Sequence, residues 1–353
     1  MRIAVVGVGL IGGSVGLAAR ERLPDSSVAG WDPDREALAL ARERGAIDVA
    51  AETLAEAVEG AQLVVVAAPV GALGGLVTEV LAEVGADCMV TDVGSTKRAV
   101  VSDDERFCGG HPLAGAETAG VEHARGDLFE GAIWYLTPGP TTSGILFERL
   151  HRMIGGLGAR PVAIDAATHD KLMATVSHLP HVLANVLVSQ AAGAMGGEQV
   201  PPTGPSFRDA TRVAGANSAI WTDIYLANRD ALIERIDETI AGLERVRGAL
   251  ASGDADAVTL WNDRAARDRR ALLEAGLEGG DVHELRASVP NRPGVIAEIA
   301  VALGRAGVNI VDMALSPSTD FRQGRMSLWV SGADHAGRAE ALISELGFPV
   351  ARA

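Results

Sequence analysis

Arg2-Ile3-Ala4-Val5-Val6-Gly7-Val8-Gly9-Leu10-Ile11-Gly12 is a β-branched run followed by three glycines at the spacing G-x-G-x-x-G. A continuous apolar run of this kind fits a strand buried on both faces. Leu10–Arg22 then continues at helical spacing, so the glycines form the turn of a βα unit. Gly7 allows the tight turn, Gly9 lets a pyrophosphate approach the backbone, and Gly12 lets the helix lie close to the strand. The first amides of that helix, including those of Leu10 and Ile11, face the anion, and the helix dipole favours it. Asp32 lies twenty residues beyond Gly12, at the end of a second strand, Ser27–Trp31. A carboxylate there accepts bonds from ribose hydroxyls and repels a 2′-phosphate, which favours NAD over NADP. Arg35 works against that preference. The alternative is a glycine-rich turn with a solvent-facing Asp32.

Outward from this unit, short apolar runs alternate with amphipathic ones. Asp34–Arg44 reads as a helix, Gln62–Ala67 as a strand, Val70–Val84 as a helix and Asp87–Thr91 as a strand. Ala132–Leu136, Ser143–Ile154 and Arg160–Ile164 continue the alternation as strand, helix and strand. Such alternation implies a parallel sheet with helices on both faces, an α/β Rossmann-type domain over residues 1–165. From 166 to 278 the pattern is almost purely helical, apart from the Gly- and Pro-rich loop GGEQVPPTGPS. This block is expected to be an all-α domain that contributes to substrate binding and buries apolar positions against a second copy, making a homodimer. Residues 282–353 run β-α-β-β-α-β, a split βαβ unit of α+β type.

The chain has 353 residues and a formal charge of −15, from 31 basic and 46 acidic side chains. That length fits two or three domains. So acidic a chain argues against nucleic acid or an anionic membrane as partner, and an anionic substrate would need locally placed arginines. Cys88 and Cys108 form no CxxC pair, which excludes a disulfide framework or thiolate zinc site and fits a reducing cytoplasm. Local apolar runs stop short of about 18–20 residues, so no membrane span is expected. The N-terminus reads as a strand and turn, not a signal peptide.

Two loops carry candidate chemistry. Thr91-Asp92-Val93-Gly94-Ser95-Thr96-Lys97 ends at the carboxyl edge of the sheet, where open α/β folds bind ligands. Ser95 there either caps a following helix or donates to a ligand. In Gly109-Gly110-His111-Pro112, the glycines and proline keep His111 out of a helix and place it on a loop. A histidine at the mouth of a cofactor site can take the proton of an alcohol that loses hydride; otherwise it is a structural turn residue. In the helical block, His178 and His181 of Ser177-His178-Leu179-Pro180-His181 share a face, with the helix kinked at Pro180. His169 and His178 read as packing histidines, and no metal set is complete. Arg208 and Arg212, one helical turn apart, read as a carboxylate receptor or as surface ion pairs. Trp221 is expected to wall the same cavity.

Taken together, GVGLIGGSVGLA, TDVGSTK, GGHPLAGAETAGVEHA, HDKLMATVSHLPHVLA and FRDATRVAGANSAIWTDIYLANRD resemble the prephenate dehydrogenase family. HELRASVPNRPGVIAEIAVALGRAGVNI resembles an ACT regulatory domain. The resemblance implies NAD-dependent oxidative decarboxylation of prephenate to 4-hydroxyphenylpyruvate in tyrosine biosynthesis, with no metal. It maps the catalytic histidine on His111 and its hydroxyl partner on Ser95. It maps the substrate-carboxylate arginine on Arg212, a pocket histidine on His181, and further pocket or gating positions on Arg208, Glu117 and Trp221. Relatives often carry Lys at the Arg208 position. In the ACT-like domain it implies an amino-acid effector, tyrosine, held near Asn291, Arg292, Pro293, Gly294 and Asn309, or else a purely structural dimerisation module. Arogenate dehydrogenase is the close alternative. Another NAD-dependent hydroxy-acid dehydrogenase and a non-catalytic NAD and amino-acid sensor are more distant ones.

Overall fold

The computed structural model describes residues 1–115, 118, 120–193, 203–275, 281–290, 292, 295–308, 310–317 and 323–352. It divides into two compact units, Met1–Val200 with Thr211–Thr239, and Pro201–Ala210 with Ile240–Ala353.

The first unit is built on β1 (Arg2–Val6), α1 (Leu10–Arg22), β2 (Ser27–Trp31), α2 (Arg35–Glu43), β3 (Val49–Ala50), α3 (Leu54–Val58), β4 (Leu63–Val66), α4 (Val70–Glu83) and β5 (Met89–Asp92). The five strands are parallel in the order β3-β2-β1-β4-β5. Alternate side chains of β1 and β4 face opposite ways, as the strand period of two requires. Ile3, Val5, Leu63 and Val65 pack with Val15, Ala18 and Leu38 on one face. Ala4, Val6, Val64 and Val66 pack with Leu73, Val77 and Val80 on the other. Each fully buried side chain of this size stabilises by about 1.5–3 kcal/mol. Both faces are therefore covered, and the apolar runs need no polar alternation. Asp34 starts α2 by accepting from the amides of Glu36 and Ala37.

Beyond β5 the layout departs from a single parallel sheet. Strands β6 (Cys108–Pro112), β7 (Ile133–Pro138) and β8 (Arg160–Ala163) form a separate three-stranded sheet, with α5 (Gly144–Gly156) between β7 and β8. β6 is antiparallel to β7, and β7 is parallel to β8. His111, expected on a loop, thus lies in a strand, opposite Tyr135. The flanking glycines that suggested a loop serve a tight fit instead: a Cβ on Gly110 would lie 2.5 Å from the Asp92 carbonyl oxygen. No helix begins after Ser95, because the chain runs irregularly from β5 to β6, so the capping alternative falls.

The helical part starts with α6 (Ala166–Met173), passes through a π turn at Ala174–His178, and continues as α7 (Leu179–Gly193). Pro180 has no amide to donate and its ring crowds the carbonyl four residues back, so the widened turn just before it relieves a local conflict. This continuous run of 28 residues is long and apolar enough to cross a membrane by length and composition alone, a test that a core helix of a globular protein also passes. Helices α8 (Pro205–Thr211), α9 (Ser218–Ala227), α10 (Arg229–Ser252) and α11 (Ala255–Ala275) complete it, with α8 and α10 running across the limits of the two units.

The second unit contains β9 (Val282–Pro290), α12 (Val295–Arg305), β10 (Ile310–Pro317), β11 (Gln323–Ser331), α13 (Ala333–Glu345) and β12 (Val350–Arg352). This is the expected β-α-β-β-α-β order, folded as an antiparallel sheet β10-β11-β9-β12. Leu285, Ala287, Val289, Met326, Leu328 and Val330 alternate inward against Ile299, Leu303, Ala339 and Ile343.

Candidate active site

The glycine turn between β1 and α1 has the shape a bound phosphate needs. Gly7 adopts φ +94°, and a Cβ there would lie 2.2 Å from the Ala67 carbonyl oxygen. A Cβ on Gly12 would lie 1.9 Å from the Gly7 carbonyl oxygen, so the close approach of helix to strand admits no side chain. Gly9 is different: a Cβ there would meet no protein atom within 4 Å. Packing does not demand glycine at that position. The space over the start of α1, which Leu10 and Ile11 open, is left clear for an anion from outside. Asp32 receives the Val8 amide on Oδ2 and the Asp34 amide on Oδ1, both at 2.9 Å. Each carboxylate oxygen keeps a further acceptor site, so Asp32 both holds the turn and remains able to bind ribose hydroxyls. These residues fit a dinucleotide.

At the end of β5 the chain buries charge. Asp92 and Lys97 form an ion pair with 0% and 1% side-chain exposure. The Lys97 ammonium also donates to the Gly110 carbonyl at 2.5 Å, and Asp92 accepts the Gly94 and Gly110 amides at 2.9 and 3.1 Å. A charge pair this deep needs further hydrogen bonds to survive, and here the Gly110 carbonyl and the Gly94 and Gly110 amides supply them. The pair fixes the backbone immediately before His111.

His111 Nδ1 lies 3.0 Å from His169 Nε2, and His169 Nδ1 lies 2.8 Å from Asp170 Oδ1. Asp170 also receives the amides of Lys97 and Arg98 at 2.8 and 2.9 Å. Burial first, then the nearby charges of Lys97, His169 and His178, hold the His111 pKa well below the ordinary histidine range. A neutral imidazole at pH 7 is a proton acceptor. His178 is held down to about 4, mainly by burial. Its Nδ1 lies 3.2 Å from the Asn228 amide nitrogen, which also donates to the Asp170 carbonyl at 2.7 Å.

Ser95, His111, Ser177, His178 and Trp221 line one cavity of about 330 Å³. Gly115, Thr118, His181, Arg212, Asn217 and Trp221 line another of about 560 Å³. Trp221 belongs to both, so the two cavities adjoin through its ring. His181 stacks on Trp221 with centroids 3.5 Å apart, and its pKa is lowered by burial and then by the positive Arg212. The expected shared helix face of Arg208 and Arg212 is not formed. Helix α8 ends at Thr211, Arg212 sits in the following turn, and Arg208 belongs to the other compact unit.

Glu117 lies outside the described residues, as do Asn291, Pro293, Gly294 and Asn309. Arg292 is described and pairs with Glu298 at 2.6 Å. Among the described residues no cluster of His, Cys, Asp and Glu could hold a metal. Cys88 and Cys108 are free and buried, their thiols pushed up by burial to about 11 and about 12, which leaves neither as a ready nucleophile.

The sequence reading takes His169 for a packing histidine and gives Asp170, Lys97 and Asn228 no catalytic role. A buried Lys in a loop rich in Gly, Ser and Thr was one available signal, since ammonium groups are almost never buried without a task or a partner. The His169-Asp170 dipeptide was another, but only its contact with β6 gives it meaning.

Residues 15–163 match the family model for the nucleotide-binding domain of prephenate dehydrogenase, 165–262 that for its dimerization domain, and 283–342 the ACT domain. The chain is 32% identical to the prephenate dehydrogenase of Bacillus subtilis, over 97% of this chain and 95% of that protein. A crystal structure of prephenate dehydrogenase from A. aeolicus, in complex with hydroxyphenyl propionate and NAD+, superposes with a TM-score of 0.70 at 25% identity, covering 77% of this chain and 98% of that one. A crystal structure of Synechocystis arogenate dehydrogenase gives 0.69 at 26% identity, covering 76% and 99%.

Proposed function

This chain belongs to the prephenate dehydrogenase family, and from that premise we propose that it converts prephenate and NAD to 4-hydroxyphenylpyruvate, carbon dioxide and NADH. The observation that carries this reading is the half-buried His111, its pKa held well below the ordinary range, facing one cavity with Ser95, next to the cavity that holds His181 and Arg212. NAD, held by Gly7, Gly9, Leu10, Ile11, Gly12 and Asp32, supplies the hydride acceptor. His111 accepts the proton of the substrate's ring hydroxyl as hydride leaves the same carbon, and Ser95 holds that hydroxyl in line. Loss of the ring carboxylate as carbon dioxide then makes the ring aromatic, which drives the reaction, and the phenolate oxygen takes the proton back from His111. The protein's own tasks are orientation and proton handling.

Arg212 takes the substrate's ring carboxylate by a charge-assisted bond, and His181 and Trp221 shape the pocket; for Arg208 and Glu117 the family resemblance supports further pocket or gating roles. The division into 1–165, 166–278 and 282–353 assigns cofactor binding, substrate binding with dimerisation, and regulation to successive segments. A homodimer is supported by the apolar side chains that α7 and α9 expose, Leu183, Val186, Leu187 and Ile220 among them, in the segment that matches a dimerization domain. Tyrosine is the proposed effector of the ACT domain, near Arg292. The free thiols fit a cytoplasmic enzyme.

Arogenate is the second reading, favoured by the likeness to the Synechocystis enzyme. Steady-state assays of purified protein with prephenate and with arogenate, each with NAD and NADP, decide the matter. Higher kcat/KM for prephenate with NAD is expected. Preference for arogenate moves the activity to the amino analogue, and no NADH from either substrate removes the proposed function.

A further inference from the structure

We propose that His169 and Asp170 are positioning residues that hold His111 with its proton on Nδ1 and the lone pair of Nε2 bare. This rests on the assignment of His111 as proton acceptor, and deepens it. The order of donors and acceptors leads to it. Asp170 receives two backbone amides, from Lys97 and Arg98 at 2.8 and 2.9 Å, which can only donate. The carboxylate is therefore the acceptor end of the chain, and His169 Nδ1 at 2.8 Å must carry a proton toward it. The tautomer of His169 with its proton on Nδ1 offers a lone pair at Nε2. His111 Nδ1, 3.0 Å away, donates to it, and the second nitrogen of His111 is left unprotonated.

His169 and Asp170 are both 0% exposed, so water does not substitute for either partner. The reverse order, with a proton on His169 Nε2, would give His111 a proton on its own Nε2. It could then only donate to a substrate hydroxyl, which is the wrong direction for oxidation. The charged and titratable groups around the pair are Lys97, Asp92, His178 and the edge-on ring of Tyr135, with Lys97 the nearest cation and itself paired to Asp92. A carboxylate that orients one imidazole to orient a second applies the logic of oriented catalytic histidines across one more ring.

The test reads the tautomer directly. The full-length protein is labelled with 15N-histidine, and the His111 ring nitrogens are identified by the signals lost in His111→Asn. In the wild type, two-bond nitrogen–proton couplings are expected to show Nδ1–H and a bare Nε2. In Asp170→Asn a single oxygen cannot accept from His169 Nδ1 and from both the Lys97 and Arg98 amides, so the anchor is weakened and the His111 proton is expected to shift toward Nε2. Turnover then falls by about 10²–10⁴-fold while KM and NAD affinity stay near wild type. His169→Gln can donate to Asp170 and accept from His111, so it keeps the tautomer and most of the turnover that His169→Leu loses. An Nε2–H tautomer in the wild type overturns the proposal, and so does a His169→Leu variant with near-normal kcat. The wild-type spectrum stands even if Asp170→Asn does not fold. It also needs no substrate, so a protein inactive on prephenate and arogenate would fail the proposed function without deciding this point.

Discussion

Asp92, Lys97, His169 and Asp170 stand at 0–1% exposure beside His111, whereas Arg212 and Asn217, across Trp221, are open to solvent. The first region is a closed set of buried donors and acceptors drawn from the end of β5, the loop after it and helix α6. The second is a turn between short helices, with one guanidinium and a stacked His181–Trp221 pair. Proton transfer tolerates little error in position and needs groups that do not reorganise. Recognition of a carboxylate tolerates more, since a long guanidinium side chain can follow its partner. Under the proposed function, the rigid region carries the proton transfer and the adaptable one holds the carboxylate.

That contrast can be broken most sharply at His111. His111→Asn is expected to leave NAD affinity intact and to lower kcat by about 10²–10⁴-fold. Cofactor titration by fluorescence and steady-state kinetics check it, and a near-normal kcat would place the proton acceptor elsewhere. Lys97→Met comes next and should act through stability. It leaves Asp92 buried and unpaired, at a cost of about 3–5 kcal/mol, read as a lower urea midpoint. Unchanged stability would mean that water reaches Asp92. Arg212→Ala should show the smallest effect, a loss of about 1.5–3 kcal/mol in substrate binding for one charge-assisted contact, with the fold and NAD binding untouched. A change confined to the cofactor constant would put Arg212 in the wrong site.

Legibility follows the same division. The centre of the Rossmann-type sheet could be read because β1 and β4 are buried on both faces, and the ACT domain because its strands alternate between a core face and an open one. Asp34 as the cap of α2 and the helix disturbance at Pro180 were equally local matters. His111 was legible as unusual but not as part of a strand. The residues that suggested a loop, Gly109 and Gly110, are there because Thr137 and Asp92 press against the backbone. The placing of Arg208 and Arg212 on one helix rested on spacing alone, and α8 stops at Thr211, one residue short of Arg212.

The order of elements, the phosphate-shaped turn at Gly7–Gly12 and the type of each candidate side chain are properties of neighbouring residues, so the chain alone determines them. Which nitrogen of His111 faces a substrate is another matter. It depends on Asp170 and His169, some sixty residues away, closing against β6 in a place without water, and only packing in three dimensions brings those groups within hydrogen-bond reach.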